Sequence, residues 1–234
     1  MFSVSIAGIP VGIESKHKYI ERISRDYLTD REPLFTVSAS EADMAYERER
    51  NDPCPGDGYI ESAVIHRKIA EQLWRYDAFL FHGAVLSVDG SAYAFTAPSG
   101  TGKSTHARLW EECFGERVRY VNGDKPIVRF IDGVPYAFGT PWRGKEGFGE
   151  NISAPLVGIA RITRAESNFA KEMSFDDMSA VLLSQIYVPR DPLAAVRTLA
   201  LLNRLSGLVR LVELGCNMEA DAPIVSARAL GVEI

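Results

Sequence analysis

Ten consecutive residues carry the groups needed to hold a polyphosphate: Thr96-Ala97-Pro98-Ser99-Gly100-Thr101-Gly102-Lys103-Ser104-Thr105. Glycines in such a run let successive backbone N–H groups turn inward and form a concave nest for anionic oxygens. A helix beginning at the end of the run adds unpaired N–H donors and the positive end of its dipole. Lys103 can then neutralise the outer phosphates, and the Ser104 hydroxyl can ligate an accompanying Mg²⁺. The run fits G-x-x-x-x-G-K-[ST] except at its first position, which is Ala97. Its expected binding set is Ser99, Gly100, Thr101, Gly102, Lys103, Ser104 and Thr105.

Phosphoryl transfer needs more than a cradle. It needs a metal, neutralised charge and a group that takes the proton of the acceptor. Asp124 ends the stretch Tyr120-Val121-Asn122-Gly123-Asp124, where an apolar strand gives way to a turn. A carboxylate there suits either metal binding or the base role. His82 precedes the loop within an apolar stretch, where a core histidine and a functional one are both reasonable. Glu146 lies in a glycine-rich loop, where an exposed acid and a functional one are both reasonable. Arg143 and Lys145 could clamp an acceptor or the terminal phosphate once a loop closes. The catalytic candidates are therefore Asp124, His82, Lys103 and Arg143. His106 is expected at the surface, and His17 and His66 are expected to be incidental. Trp74, Trp110 and Trp142 read as packing residues, with Trp142 also suited to lining an acceptor pocket.

The elements that must position these groups follow from patterning. Residues 92–95 form an apolar run before the loop, and 106–113 read as a helix after it. Two Asp-Gly pairs, Asp89-Gly90 and Asp132-Gly133, sit between apolar runs, and each predicts a hairpin. Residues 79–96 are thus expected to be an antiparallel hairpin whose second strand ends at the loop. A mixed, hairpin-rich sheet results, unlike the helix-crossed parallel sheets around most phosphate loops. Further strands are expected at 127–131, 134–138, 156–162 and 208–214. Helices are expected at 61–76, 175–186, 193–205 and 223–230, and residues 139–149, with four glycines, read as a mobile loop. Upstream, residues 2–14 read as two strands turned at Gly8-Ile9-Pro10, 18–28 as a helix, 34–37 as a strand and 41–52 as a charged, solvated face. The turn-forming stretch 52–58 places a boundary between an N-terminal α+β appendage (1–58) and a nucleotide-binding domain (59–234).

At 234 residues and 46% apolar content the chain can bury a sizeable core. A formal charge of −5 argues against a nucleic-acid partner, whose phosphate backbone calls for clustered Lys and Arg. No stretch is long and apolar enough to predict a membrane span, and the first residues lack the basic-then-apolar pattern of an export signal. Three widely spaced cysteines, Cys54, Cys113 and Cys216, suggest reduced thiols in the cytoplasm, at least two of them buried.

Several stretches together resemble the family of HPr kinase/phosphorylases and phosphoenolpyruvate carboxykinases. Ser99-Gly100-Thr101-Gly102-Lys103-Ser104-Thr105 is similar to the carboxykinase loop, and Phe81-His82-Gly83-Ala84 stands at the HPr-kinase histidine's spacing before the loop lysine. Tyr120 to Asp124 is similar to the second kinase motif, and Glu146 falls at the spacing of a second magnesium ligand. Only Asp124 stands where the family shows paired aspartates. The combination with Thr140-Pro141-Trp142-Arg143-Gly144-Lys145-Glu146-Gly147 resembles kinase-like proteins related to HPr kinase. The resemblance covers residues 78–165. It implies an α/β fold with a mixed sheet around a phosphate loop, and a cytoplasmic kinase using ATP and Mg²⁺. The implied acceptor is a hydroxyl, such as a serine of a small protein or peptide, and a homo-oligomer is among the assembly states left open. A small-molecule kinase, or an ATP-binding regulatory module without transfer, are the alternatives.

Overall fold

The computed structural model describes residues 1–50, 55–98 and 100–234, so Ser99 and Cys54 lie outside the described residues. The chain opens with strands β1 (Phe2–Ile6) and β2 (Ile9–Glu14), helix α1 (Lys18–Ile23), strand β3 (Phe35–Ser38) and helix α2 (Glu41–Arg48). Helix α3 (Asp57–Ala70) leads into β4 (Ala78–Leu80), β5 (Ala84–Val88) and β6 (Ser91–Thr96). Then come α4 (Lys103–Phe114), β7 (Val118–Asn122), β8 (Ile127–Ile131), β9 (Val134–Phe138) and the long β10 (Ser153–Arg164). The chain ends with β11 (Phe169–Glu172), α5 (Phe175–Ser184), α6 (Pro192–Ser206), β12 (Arg210–Cys216) and α7 (Ala222–Leu230).

Among the described residues the strands form two sheets. The small one has the order β1-β2-β3, and the large one runs β4-β8-β9-β10-β6-β5-β7, with β12 beside β10 and β11 beside β12. The large sheet is mixed. β6 is antiparallel to β5 on one side and parallel to β10 on the other. β10 is the strand that joins its two halves: Ser153–Pro155 pair antiparallel with β9, and the remainder runs parallel between β6 and β12.

Period-two alternation on β6 explains the layering. Ala92 and Ala94 face a core completed by Met178 and Leu182 of α5 and Leu201, Leu202 and Leu205 of α6. Tyr93 and Phe95 face the opposite core, with Trp110 and Phe114 of α4 and Ala227 and Leu230 of α7. A third core is made where the small sheet meets α3: Val4, Ile6, Val11 and Ile13 pack with Ile65 and Ile69, and also with Ala78, Leu80 and Ile127 of the large sheet.

Both predicted Asp-Gly turns form. Asp89 and Gly90 have φ 49° and 82°, and Asp132 and Gly133 have 49° and 88°, the left-handed pair of a two-residue hairpin turn. The first turn of the chain has the same form but falls at Ala7-Gly8, with Ile9-Pro10 already in β2. The predicted strand 79–88 is a correction: it is two strands. β4 pairs with β8, whereas β5 pairs with β6 and β7. Between them the N–H groups of Phe81, His82 and Gly83 donate to the carbonyls of Pro126, Gln185 and Asp124, three separate partners that draw the chain across from one pairing to the next. The hairpin is therefore Ala84–Val88 with Ser91–Thr96. The helix predicted at 18–28 ends at Ile23 and continues as a 3-10 turn over Arg25–Tyr27. The helix predicted at 61–76 likewise ends at Ala70, with a 3-10 turn over Leu73–Tyr76. β11 was not anticipated. Cys216 is buried and Cys113 exposed, both free, so the expected second buried thiol is not found among the described residues. Among those residues no helix is long and apolar enough to cross a membrane.

Residues 139–152 lie tightly along β7. A Cβ at Gly139 would stand 1.9 Å from the Glu150 carbonyl oxygen and 2.7 Å from that of Val121, both backbone atoms that cannot step aside. Gly139→Ala is therefore expected to cost at least about 2 kcal/mol or to abolish folding, as overpacking against fixed atoms does. Chemical denaturation checks it, and an unchanged midpoint would show that the segment is free to move off the strand.

Candidate functional site

Strand direction brings the chemistry together. β5 is antiparallel to both β6 and β7, so its first residues lie beside their last ones: Ala84 opposite Phe95, and Val85 opposite Asn122. His82 just before β5, the 97–102 loop after β6 and Asp124 just after β7 therefore meet at one end of the sheet.

After β6 the chain turns through Gly100 (φ +78°) and Gly102 (φ +121°) before α4 begins. A Cβ at either glycine would meet nothing within 4 Å, so backbone conformation, not space, is what calls for glycine. The His106 amide donates to the Gly102 carbonyl at 2.9 Å and starts the helical bonding. Lys103 folds back, its Nζ donating to the Ala97 carbonyl at 2.8 Å. Burial lowers the Lys103 pKa, opposed by the nearby Asp124 carboxylate and assisted by Lys125. Thr101 is folded into the turn, its hydroxyl donating to the Pro98 carbonyl at 2.9 Å. Ser104 and Thr105 lie in the first turn of α4. Arg164, at the end of the parallel neighbour β10, donates to the Gly100 carbonyl at 2.8 Å. No sequence signal marked that contact, because it joins residues 64 apart.

Asp124 is held from several sides. His82 Nε2 lies 3.2 Å from its Oδ1, and Lys125 Nζ lies 3.1 Å from its Oδ2. Burial on its own would raise the Asp124 pKa, but the His82 hydrogen bond and the Lys125 ammonium outweigh it and hold the carboxyl down at about 2. Beneath it, Asn122 builds the turn. The fully buried Asn122 accepts through Oδ1 from the amides of Asp124 (2.8 Å) and Lys125 (2.7 Å), and donates through Nδ2 to the Thr140 carbonyl and hydroxyl at 3.1 Å. The Thr140 hydroxyl in turn donates to the Lys125 carbonyl at 2.8 Å. An Asn two residues before an Asp is a legible Asx-turn signal. Its bond to Thr140 is not, being set by the return of a distant segment.

Two candidates lie outside this group. Arg143 donates to Asp26 at 3.0 Å, and Glu146 pairs with Arg108 of α4. Among the described residues no three His, Cys, Asp or Glu side chains gather as a ready metal site. His106 corrects its expectation: it is buried. Its Nε2 lies 2.9 Å from Ser226 Oγ on α7, and Trp110 Nε1 donates to Ser226 Oγ at 2.8 Å, so the ring ties the two helices together. Burial lowers its pKa to about 4, so it stays neutral near pH 7. Trp110 is core, Trp74 lies beneath the Arg75 guanidinium, and Trp142 packs at a tilt against His66 with ring centroids 4.4 Å apart. His66 was expected to be incidental, yet it packs against the segment that covers Asp124. A separate cavity of about 580 Å³ opens at the far, hairpin-turn end of the sheet. Its Arg117 and Arg119 are paired with Asp89 and Glu150.

No protein-family model matches the chain, and no curated protein does. Among solved structures that match is the HPr(Ser) kinase/phosphatase from Coxiella burnetii, at 12% identity and a TM-score of 0.31, over 54% of this chain and 96% of that one. At that identity and score the likeness says nothing about the site, whose reading rests on its own geometry.

The pairing of Asp124 has a pH signature. A carboxyl whose folded pKa is depressed contributes stability that is fully present above its ordinary value, about 4, and lost as pH falls toward about 2. Asp124→Asn has no such titration. The stability gap between wild type and Asp124→Asn should therefore shrink between about pH 5 and pH 2 in chemical denaturation. A gap that stays constant would mean that His82 and Lys125 do not hold the carboxylate.

Proposed function

We propose that this chain is an ATP- and Mg²⁺-dependent phosphotransferase acting on a hydroxyl acceptor, with a serine of a small protein or peptide as the favoured class. The observation that carries this reading is the meeting of an ionised, half-buried Asp124 with His82, Lys125 and Lys103 beside a glycine-turned helix N-terminus. That terminus has the unpaired N–H donors and the dipole that favour phosphate. Lys103 supplies the cation, and leaving Ala97 for a phosphate oxygen exchanges a neutral acceptor for a charged one.

The donor set suits Mg²⁺. That ion keeps waters and phosphate oxygens and uses one or two protein oxygens, so the Ser104 hydroxyl and the Asp124 carboxylate would suffice without a larger acidic cluster. When bound, the ion would neutralise charge on the transferring group. The acceptor oxygen forms a bond to the terminal phosphorus as the bond to the leaving phosphate oxygen breaks, and the acceptor proton passes to Asp124. A carboxylate with so low a pKa is a weak base. In a loose transition state the hydroxyl proton becomes acidic only as the new bond forms, so a weak, well-placed base is enough. Arg143 and Glu146, paired elsewhere, would have to be released before clamping an acceptor or binding a second ion.

One observation favours a second reading, an ATP-binding module without transfer: both Asp124 oxygens already have cationic or ring partners. Two variants separate the readings. Lys103→Ala should weaken ATP binding by about 10- to 100-fold, the worth of one charge-assisted contact, read by calorimetry on the folded variant. Asp124→Asn leaves Lys103, Ser104, the loop amides and a side-chain amide oxygen to hold Mg·ATP, so most affinity should remain, but phosphoryl transfer or ATP hydrolysis at saturating nucleotide should fall at least about 10²-fold. Turnover equal to wild type would remove Asp124 from the mechanism. A wild type that binds ATP without any turnover would favour the module.

A further inference from the structure

Residues 140–152 cover Asp124 and are gripped from behind by the N-terminal part of the chain. On the site side, the Gly123 amide donates to the Phe148 carbonyl at 2.8 Å, and Asn122 and Gly149 form a β-bridge. At Gly144 (φ +72°) the backbone passes so near the acid that a Cβ would lie 2.8 Å from that of Asp124. On the opposite side, Trp142 Nε1 donates to the buried Ser62 Oγ at 2.9 Å. Its ring packs at a tilt of 36° against His66, one helical turn further along the same face of α3. The contact is continued by Arg143 to the Asp26 carboxylate, Asn151 Nδ2 to the Asp26 carbonyl (2.6 Å) and the Tyr27 hydroxyl to the Glu150 carbonyl (3.3 Å).

We infer that Trp142, seated on Ser62 and His66 of α3, is a positioning residue that holds the cover over Asp124 and so sets where that carboxylate stands. This rests on the proposed function for its kinetic consequence, but not for its structural one. His66 is suited to the seat. Its Nε2 is buried without a hydrogen-bond partner among the described residues, and burial together with the Lys125 charge lowers its pKa to about 3, so the ring stays neutral and brings no further cation to Asp124. Only two residues, Thr140 and Pro141, precede the seat, and Thr140 is itself bonded to Asn122 and Lys125. Displacement of Trp142 is thereby passed to the turn that carries the acid. Small misplacements of a reacting group cost up to about 10²-fold in rate.

The test uses the full chain carrying Trp142→Ala, with Trp142→Phe as the conservative partner. In Trp142→Ala the Gly123 amide should exchange hydrogen about 10-fold faster while amides in β6 keep wild-type protection, which separates local release from general loss of stability. Mg·ATP affinity should stay within about twofold, because the 97–103 segment is untouched, whereas turnover should fall about 10-fold. Trp142→Phe keeps the ring contact and should recover most of both. If Trp142→Ala fails to fold, Ser62→Ala, which removes only the indole's acceptor, should show the same pattern at smaller amplitude. Unchanged Gly123 exchange overturns the inference, as does faster exchange with turnover intact. A wild type without turnover would defeat the proposed function alone, leaving exchange to decide this claim.

Discussion

Everything at the candidate site depends on β5 being antiparallel to both of its neighbours. A parallel β5 would place its first residues at the opposite end of the sheet from the ends of β6 and β7. His82 would then stand about five residues, or roughly 17 Å, from Asp124. The antiparallel arrangement is enforced on one side by the two-residue Asp89-Gly90 turn, which no parallel pair could use. On the other side β7 runs antiparallel to β5 in its turn. The break at residues 81–83 serves the same end. By giving two of three consecutive amides to the β7–β8 connection and the one between them to Gln185 after α5, the chain breaks between β4 and β5 and leaves His82 at the strand end.

Charge is the second constraint. Asp124 and Lys103 are both partly withdrawn from water, and each would be costly alone. His82 and Lys125 hold Asp124 in its charged form, whereas burial and the Lys125 charge lower the Lys103 pKa and the Asp124 carboxylate opposes them. A polyphosphate with its cation would enter a site whose lysines already have partners, Lys125 the Asp124 carboxylate and Lys103 the neutral Ala97 carbonyl. Binding would then be an exchange of partners, not a new burial of charge, which is how a cradle can remain stable when empty. Lys103 on the Ala97 carbonyl is one such parked group, and Lys125 on Asp124 is another.

How much of this was readable from the sequence follows the range of the interactions. The strand–loop–helix order around Lys103 and both Asp-Gly hairpins are local, and backbone preference alone reveals them. So is α6, where Asp191 caps the helix through the Ala194 amide and Pro192 opens it. The break at residues 81–83 was not readable, because its cause lies at Asp124, Pro126 and Gln185. Nor was the burial of His106, which depends on Ser226 arriving 120 residues later. His66 read as incidental and Trp142 as a packing residue or the lining of an acceptor pocket for the same reason: the seat exists only once α3 and the 140–152 segment are folded against each other. Within the site, the residue types at Lys103, His82 and Asp124 pointed to one chemistry, but Arg143 and Glu146 show that right spacing does not ensure a shared location. Their partners Asp26 and Arg108 belong to other elements.

The central claim is that the end of the sheet marked by Thr96 and Asn122 handles phosphate, and the most direct test is an amide chemical-shift map of the full chain titrated with Mg·ATP. The account predicts that the largest shifts fall on Gly100, Thr101, Gly102, Lys103 and Asp124, with Asn122 following through its turn. Shifts concentrated instead around Arg117 and Arg119, at the cavity on the far end of the sheet, would contradict it.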